Sequence, residues 1–173
     1  MDTLSLCSVD QSPIPQGGTA QQALKETFKL AQVAEKLGYH RFWVAEHHNS
    51  GGYAVTAPEI LVGQIASQTH SIIVRSVGVM LSHSSAFKVA DTFSVLQSFY
   101  PHRIELGIGR APGSDQDTER ALSYPREIAD IQAFPQQVTD LVGILSGTLP
   151  DEHVFSHIKS QPGPPPLSMP GIW

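Results

Sequence analysis

Cysteine is almost missing: Cys7 stands alone among 173 residues. A single thiol cannot close an internal disulfide, so the expectation is a reducing, cytoplasmic setting. Charge is sparse as well, at 16% Asp, Glu, Lys and Arg against 40% hydrophobic residues. General disorder needs the reverse balance and is excluded. Positive charge is the scarcer sign: Lys and Arg number 11, Asp and Glu 16, for a formal charge of −5. No basic field is left for a phosphate backbone, which disfavours nucleic acid as a partner. No apolar run approaches the roughly 20 residues of a membrane span. The opening Met1-Asp2-Thr3 puts an acid where a secretory leader carries basic residues. The expectation is a soluble enzyme domain, long enough for one apolar core and short for two.

Within the apolar content one rhythm repeats through residue 110: short apolar run, polar turn, amphipathic helix. Leu4-Ser5-Leu6-Cys7-Ser8-Val9 alternates as a strand does. After a turn at residues 12–18, Thr19 is placed to cap a helix. Ala23, Leu24, Thr27, Leu30, Ala31, Ala34 and Leu37 share its apolar side, and Gly38 ends it. Arg41-Phe42-Trp43-Val44-Ala45 reads as a strand buried on both faces. Thr56-Ala57-Pro58-Glu59 reads as a capping box with proline in the first turn of the next helix. Residues 72–79 form a third strand, 86–99 a third helix, and Ile104-Glu105-Leu106-Gly107-Ile108 a fourth strand.

Strand starts near 4, 41, 72 and 104 recur at about 30–40 residues, the spacing of βα units with right-handed crossovers and a parallel sheet. Residues 111–133 read as a long loop with one short helix around 118–122. A helix then runs from Phe134-Pro135 to about Leu145 with Gly147 as its stop, and the proline-rich tail from Leu149 reads as loop. Residues 1–173 make one domain: four strands with their helices in 1–110, then loop, helix and tail in 111–173. Four such units belong to a doubly wound open sheet or to the first half of a (β/α)8 barrel, which needs roughly 250 residues. Pro13-Ile14-Pro15-Gln16-Gly17-Gly18 lacks the Gly-x-Gly-x-x-Gly turn, which argues against a dinucleotide fold. Length favours the open sheet; the strand-end motifs favour the barrel.

Ligands of parallel βα architectures bind beyond the carboxyl ends of the strands, and three unusual clusters stand there. They are Glu46-His47-His48-Asn49, Val77-Gly78-Val79-Met80-Leu81 followed by Ser82-His83-Ser84-Ser85, and Gly107-Ile108-Gly109-Arg110. Three ionisable side chains directly after a buried strand are costly unless paired or functional. Glu46-His47-His48 fits a metal site, although neighbours at a strand end point opposite ways. It also fits a packed, hydrogen-bonded histidine, or acid–base work by His47 on a bound ligand. Arg110 beside two glycines fits a phosphate contact or a solvated surface. Gly78 fits a bulge, a distorted peptide, a flat group stacked on the backbone, or tight packing of the next helix.

Together, Trp43-Val44-Ala45-Glu46-His47-His48-Asn49, Val77-Gly78-Val79-Met80-Leu81 and the stretch from Arg103 to Asp115 with its Gly-Arg-Ala-Pro-Gly resemble the bacterial luciferase-like monooxygenase family, in its non-luminescent branch. The likeness is collinear from about Leu4 to Trp173. It implies an α/β fold of parallel (β/α) units, the first half of a TIM (β/α)8 barrel. It implies a cytoplasmic enzyme that uses reduced FMN, supplied by a separate flavin reductase, and dioxygen on a small-molecule substrate, as a homodimer. By the same resemblance His47 is the catalytic residue near the reactive face of the flavin. Glu46 holds the ring through its backbone, Val77 and Gly78 form a strained, often cis peptide against it, and Arg110 meets the FMN phosphate. No metal is implied.

Departures stand beside the likeness. Leu81-Ser82 replaces the Leu-Pro common in the family, and Ala86 stands where proline is frequent, which changes the loop's substrate contacts. In relatives the sequence after Gly171-Ile172-Trp173 continues into a strand and a glycine-serine turn that completes the phosphate site. The expectation is therefore a truncated half barrel, paired with a second copy through its exposed sheet or belonging to a longer protein. Two alternatives remain: a non-catalytic flavin-binding or remnant protein of the same fold, and a metal-dependent hydrolase built on Glu46-His47-His48.

Overall fold

The wall of the domain is a parallel sheet whose two faces follow from side-chain alternation. The computed structural model describes residues 4–111, 115–127, 130–163 and 171–172. Residues 1–3, the closing Pro-Gly of the Gly-Arg-Ala-Pro-Gly motif with residue 114, the prolines at 164–166 and 170, and Trp173 lie outside the described residues. In chain order the elements are β1 (Cys7–Asp10), α1 (Ala20–Lys36), β2 (Arg41–Val44), α2 (Pro58–Ser67), β3 (Ile73–Ser76) and β4 (Val79–Met80). A 3-10 turn at Leu81–His83 leads into α3 (Ala86–Phe99), followed by β5 (Ile104–Leu106), β6 (Ile108–Gly109), α4 (Gln116–Ser123), α5 (Phe134–Ser146) and β7 (Gly171–Ile172). The main sheet runs β1-β2-β3-β5-β7, while β4 and β6 pair separately. All these pairs are parallel, as in the first half of a (β/α)8 barrel.

One face of the wall is apolar. Phe42, Val44, Val74 and Leu106 are fully buried against Ala31, Leu61, Val62, Ile65, Ala90, Phe93 and Leu141 of the helices. Each such side chain contributes about 1.5–3 kcal/mol by leaving water. The opposite face is set by register: Cys7 pairs with Arg41, Trp43 with Arg75, and Arg75 with Glu105. On this face Arg41 Nε and Nη2 donate to the Glu105 carboxylate at 3.0–3.1 Å. The Arg75 guanidinium lies 4.6 Å from the centre of the Trp43 ring. The sequence reading of β2 as apolar on both faces is corrected here: Phe42 and Val44 are buried, but Arg41 and Trp43 face the polar side and are only half-buried.

Local signals account for most helix ends. Thr19 and Gln22 form a reciprocal capping box on α1, Ser85 caps α3, and Gly147 ends α5 at φ 67°. The Thr56 capping box does not form. Val55 is fully buried and its carbonyl accepts the His47 N–H at 3.0 Å, so the helix starts later. Ala57 becomes the N-cap without a side-chain bond, and Pro58 opens the first turn.

Two expected strands break. Ser76 Oγ accepts the Gly107 N–H and donates to the Gly107 carbonyl, both at 3.1 Å. A Cβ on Gly107 would meet the Ser76 carbonyl oxygen at 2.1 Å. The serine hydroxyl thus bridges the two chains where the regular ladder stops, and both resume beyond it as β4 and β6. The short helix expected around 118–122 is α4. The expected loop after Leu149 includes β7, which joins the edge of β5 through Gly171 and Ile172.

Candidate functional site

The three motifs meet at the carboxyl rim of the wall. Beyond β2 the chain enters Ala45-Glu46-His47-His48-Asn49. The Glu46 side chain turns toward the helices, where it lines a cavity of about 120 Å³ with Thr56, Glu59, Val79, Lys88 and Phe93. Its side chain is 10% exposed. Glu46 Oε2 accepts the Met80 N–H at 2.9 Å, and Oε1 lies 2.8 Å from His48 Nε2. Burying a carboxylate is costly unless its lone pairs are matched, and here one backbone and one imidazole donor match them.

His47 takes another direction. Its ring stacks on Tyr53 at a centroid distance of 4.7 Å and an interplanar angle of 29°, and its buried Nδ1 has no partner among the described residues. Tyr53 is seated by the first turn of the chain. It bridges Pro13 in antiparallel fashion, flanked by Ile14 N–H to Gly52 O at 2.8 Å and Ala54 N–H to Ser12 O at 2.9 Å. Sequence reasoning missed Tyr53, because a lone aromatic after Gly51-Gly52 carries no periodic signal.

The second motif is a ledge between two neighbours. The Val77–Gly78 peptide is cis. Val77 donates to Val44 O and Val79 to Gly107 O, both at 2.7 Å, while Met80 donates to Glu46. Gly78 presses so closely on β6 that an added Cβ would lie 2.4 Å from the Ile108 carbonyl carbon. Only a residue without a side chain fits there.

The third motif brings Arg110 directly after β6, on the exposed surface. Among the described residues none forms an ion pair with it. Asn49, at φ 51°, donates through Nδ2 to Asp115 Oδ2 at 3.1 Å and so ties the first motif to the third. Asp115 also receives Thr118 Oγ1 and the N–H groups of Asp117 and Thr118. The Thr118 bonds, then the one from Asn49, hold its carboxyl below the usual carboxylate range. Neither motif shows from sequence alone that Asn49 and Asp115 touch.

The structure therefore places Glu46, His47, Val77 and Gly78 on adjoining strand tips, with Arg110 at the next one. Glu46 and His48 meet but His47 turns away from them, and among the described residues no three His, Cys, Asp or Glu side chains are grouped to hold a metal ion. The rim offers different chemistry: a backbone ledge, an imidazole nitrogen without a partner among the described residues, and a guanidinium facing solvent. Those features suit a flat ring that carries an anionic tail.

A family model described as luciferase-like monooxygenase matches residues 1–173. N-acetyl-S-alkylcysteine monooxygenase of Bacillus subtilis (strain 168) is 42% identical over 159 residues, covering 92% of this chain and 47% of that protein. The crystal structure of apo-MsnO8 superposes with a TM-score of 0.86 at 37% identity, over 99% of this chain and 49% of that one. The oxygenating constituent of 3,6-diketocamphane monooxygenase from Pseudomonas putida, solved in complex with FMN, gives a TM-score of 0.67 at 20% identity. It covers 82% of this chain and 38% of its own, a likeness of fold. The chain spans about half the length of the curated relatives it matches.

Proposed function

The chain belongs to the luciferase-like monooxygenase family, and on that premise we propose that it carries the flavin rim of an oxidoreductase using reduced FMN and dioxygen on a small organic substrate. The observation that supports this most is the convergence of the three motif tips through Glu46–Met80, Val77–Val44 and Asn49–Asp115. Reduced FMN, when bound, would supply the electrons that activate dioxygen. Arg110 would hold its phosphate with two parallel donors. The backbone of residues 77–80 would support the ring, and the buried Val79, Met80 and Leu81 keep water from that side. His47, oriented by the Tyr53 stack, would hold or move a proton at its Nδ1. Reduced flavin from a separate reductase, a homodimer and a cytoplasmic setting belong to the same proposal. The Bacillus relative makes N-acetyl-S-alkylcysteines the first substrates to assay.

Titration with FMN, read by flavin fluorescence, tests the assignment. Arg110→Ala is expected to weaken binding about 10- to 100-fold, the loss of charge-assisted hydrogen bonds to one phosphate. His47→Ala is expected to keep affinity while substrate-coupled turnover falls about 10²–10⁴-fold. Unchanged affinity in Arg110→Ala removes the phosphate role. A wild type that binds FMN but oxidises no substrate supports the alternative of a flavin-binding protein without turnover.

A further inference from the structure

We propose that Glu46 is the positioning residue of this rim: its carboxylate holds the 77–80 ledge against β2 and engages His48, leaving His47 as the working imidazole. The proposal rests on the flavin reading for what the ledge supports; the clamp itself is a property of the chain.

The need for a clamp follows from strand geometry. Along an extended strand successive N–H groups point to opposite sides. Val79 N–H points to β5–β6, where Gly107 O accepts it at 2.7 Å. Met80 N–H therefore points the other way, toward the tip of β2. That strand has ended at Val44, so no ladder carbonyl continues to receive it. A buried N–H without an acceptor is strongly disfavoured. Met80 is 8% exposed, and the acceptor comes from a side chain, Glu46 Oε2 at 2.9 Å. One carboxylate thus finishes the pairing between the two tips in place of a backbone.

The second oxygen separates two adjacent histidines. Oε1 engages His48 Nε2 at 2.8 Å, with the His48 side chain 15% exposed. His47 points elsewhere, onto Tyr53, with Nδ1 unengaged among the described residues. Glu46 acts through Met80 and His48, from the helix side of the wall.

Nuclear magnetic resonance on the flavin-free full chain tests the clamp directly. In the wild type, a scalar coupling across the hydrogen bond is expected between the Met80 amide nitrogen and Glu46 Cδ; its absence overturns the proposal, whether or not any variant folds. In Glu46→Ala, Met80 amide exchange is expected to accelerate about tenfold or more, with Val79 changed less than about threefold because its acceptor is Gly107. Glu46→Gln retains an amide oxygen and should restore Met80 protection to within about threefold of wild type. FMN affinity should follow the same order, about tenfold weaker in Glu46→Ala and recovered in Glu46→Gln. Equal Met80 protection in Glu46→Ala and wild type, or Gln no better than Ala, refutes the clamp. A wild type that binds no FMN refutes the flavin reading while the coupling and exchange results still judge Glu46.

Discussion

Replacing Gly78 by alanine probes the contact on which the rim is built. The added methyl would lie 2.4 Å from the Ile108 carbonyl carbon, 2.5 Å from Gly109 N and 2.7 Å from Ile108 O. Carbon atoms normally approach to about 3.5–4.0 Å, and all three obstacles are backbone, so no rotamer change relieves them. β4 and β6 must separate by roughly 1 Å, which also strains the Val79 N–H bond to Gly107 O at 2.7 Å. Overpacking of this kind costs about 1–3 kcal/mol, and one weakened hydrogen bond adds about 1 kcal/mol. The expected loss is about 2–4 kcal/mol, or a fall in Tm of about 4–16 °C for a chain of this size. Gly109→Ala is the internal control. It faces Gly78 across the same gap, but its Cβ would meet Gly78 O at 3.4 Å, an ordinary contact, and the expected change is below about 1 kcal/mol. Urea unfolding followed by circular dichroism measures both. A Gly78→Ala variant within about 1 kcal/mol of wild type, or a Gly109→Ala variant equally damaged, refutes the wedge.

Two further outcomes follow from charge. Burial raises the Glu35 carboxyl, but the N–H groups of Ser71, Ile72 and His70 and the Ser71 hydroxyl outweigh it and bring the pKa from 4.5 to about 2. A depressed carboxyl stabilises the fold fully above its unfolded value and loses that contribution as pH falls through the folded one. Urea midpoints should therefore drop between pH 4.5 and about 2, with a shallower slope in Glu35→Gln; equal slopes refute the assignment. Glu105→Ala removes the carboxylate that binds Arg41, half-buried beside Arg75, and should cost about 2–3 kcal/mol. A double-mutant cycle with Arg41→Met should return a coupling of about 1–3 kcal/mol, and a coupling near zero would show that the pair is held by solvent rather than by each other.

What the sequence reveals is what neighbouring residues decide. Thr19 can cap only the chain that follows it, the 86–99 helix writes its period into Val89, Ala90, Phe93 and Leu96, and Gly147 adopts a backbone that stops α5. The βα rhythm, and with it the parallel wall, follows from such signals. The breaks at Ser76 and Gly107 are invisible because each exists only against the other. Thr56 illustrates competition: a good capping residue yields once Val55 is drawn into the core. Trp43 hides the polar face of β2, since its apolar ring completes a run that looks buried throughout. At the site, family likeness marks Glu46, His47, Val77, Gly78 and Arg110. The side-chain links between motifs, Glu46 to Met80 and Asn49 to Asp115, join positions 34 and 66 residues apart and leave no local trace. Gly171 and Ile172 pair with β5 across an interval equal to the second of these.

The separate pairing of β4 with β6 makes the domain a foundation with a built-in sill. Substitutions in the foundation, at Val74 or Leu106, alter how firmly the whole chain holds together. Substitutions on the sill, at Val79 or Ile108, alter the contour presented to whatever rests there and also the packing beneath, because Val79 lies in the core cluster and Ile108 packs against it. Heredity can therefore recut the seat only by disturbing the masonry below, and a new guest costs the house some of its strength.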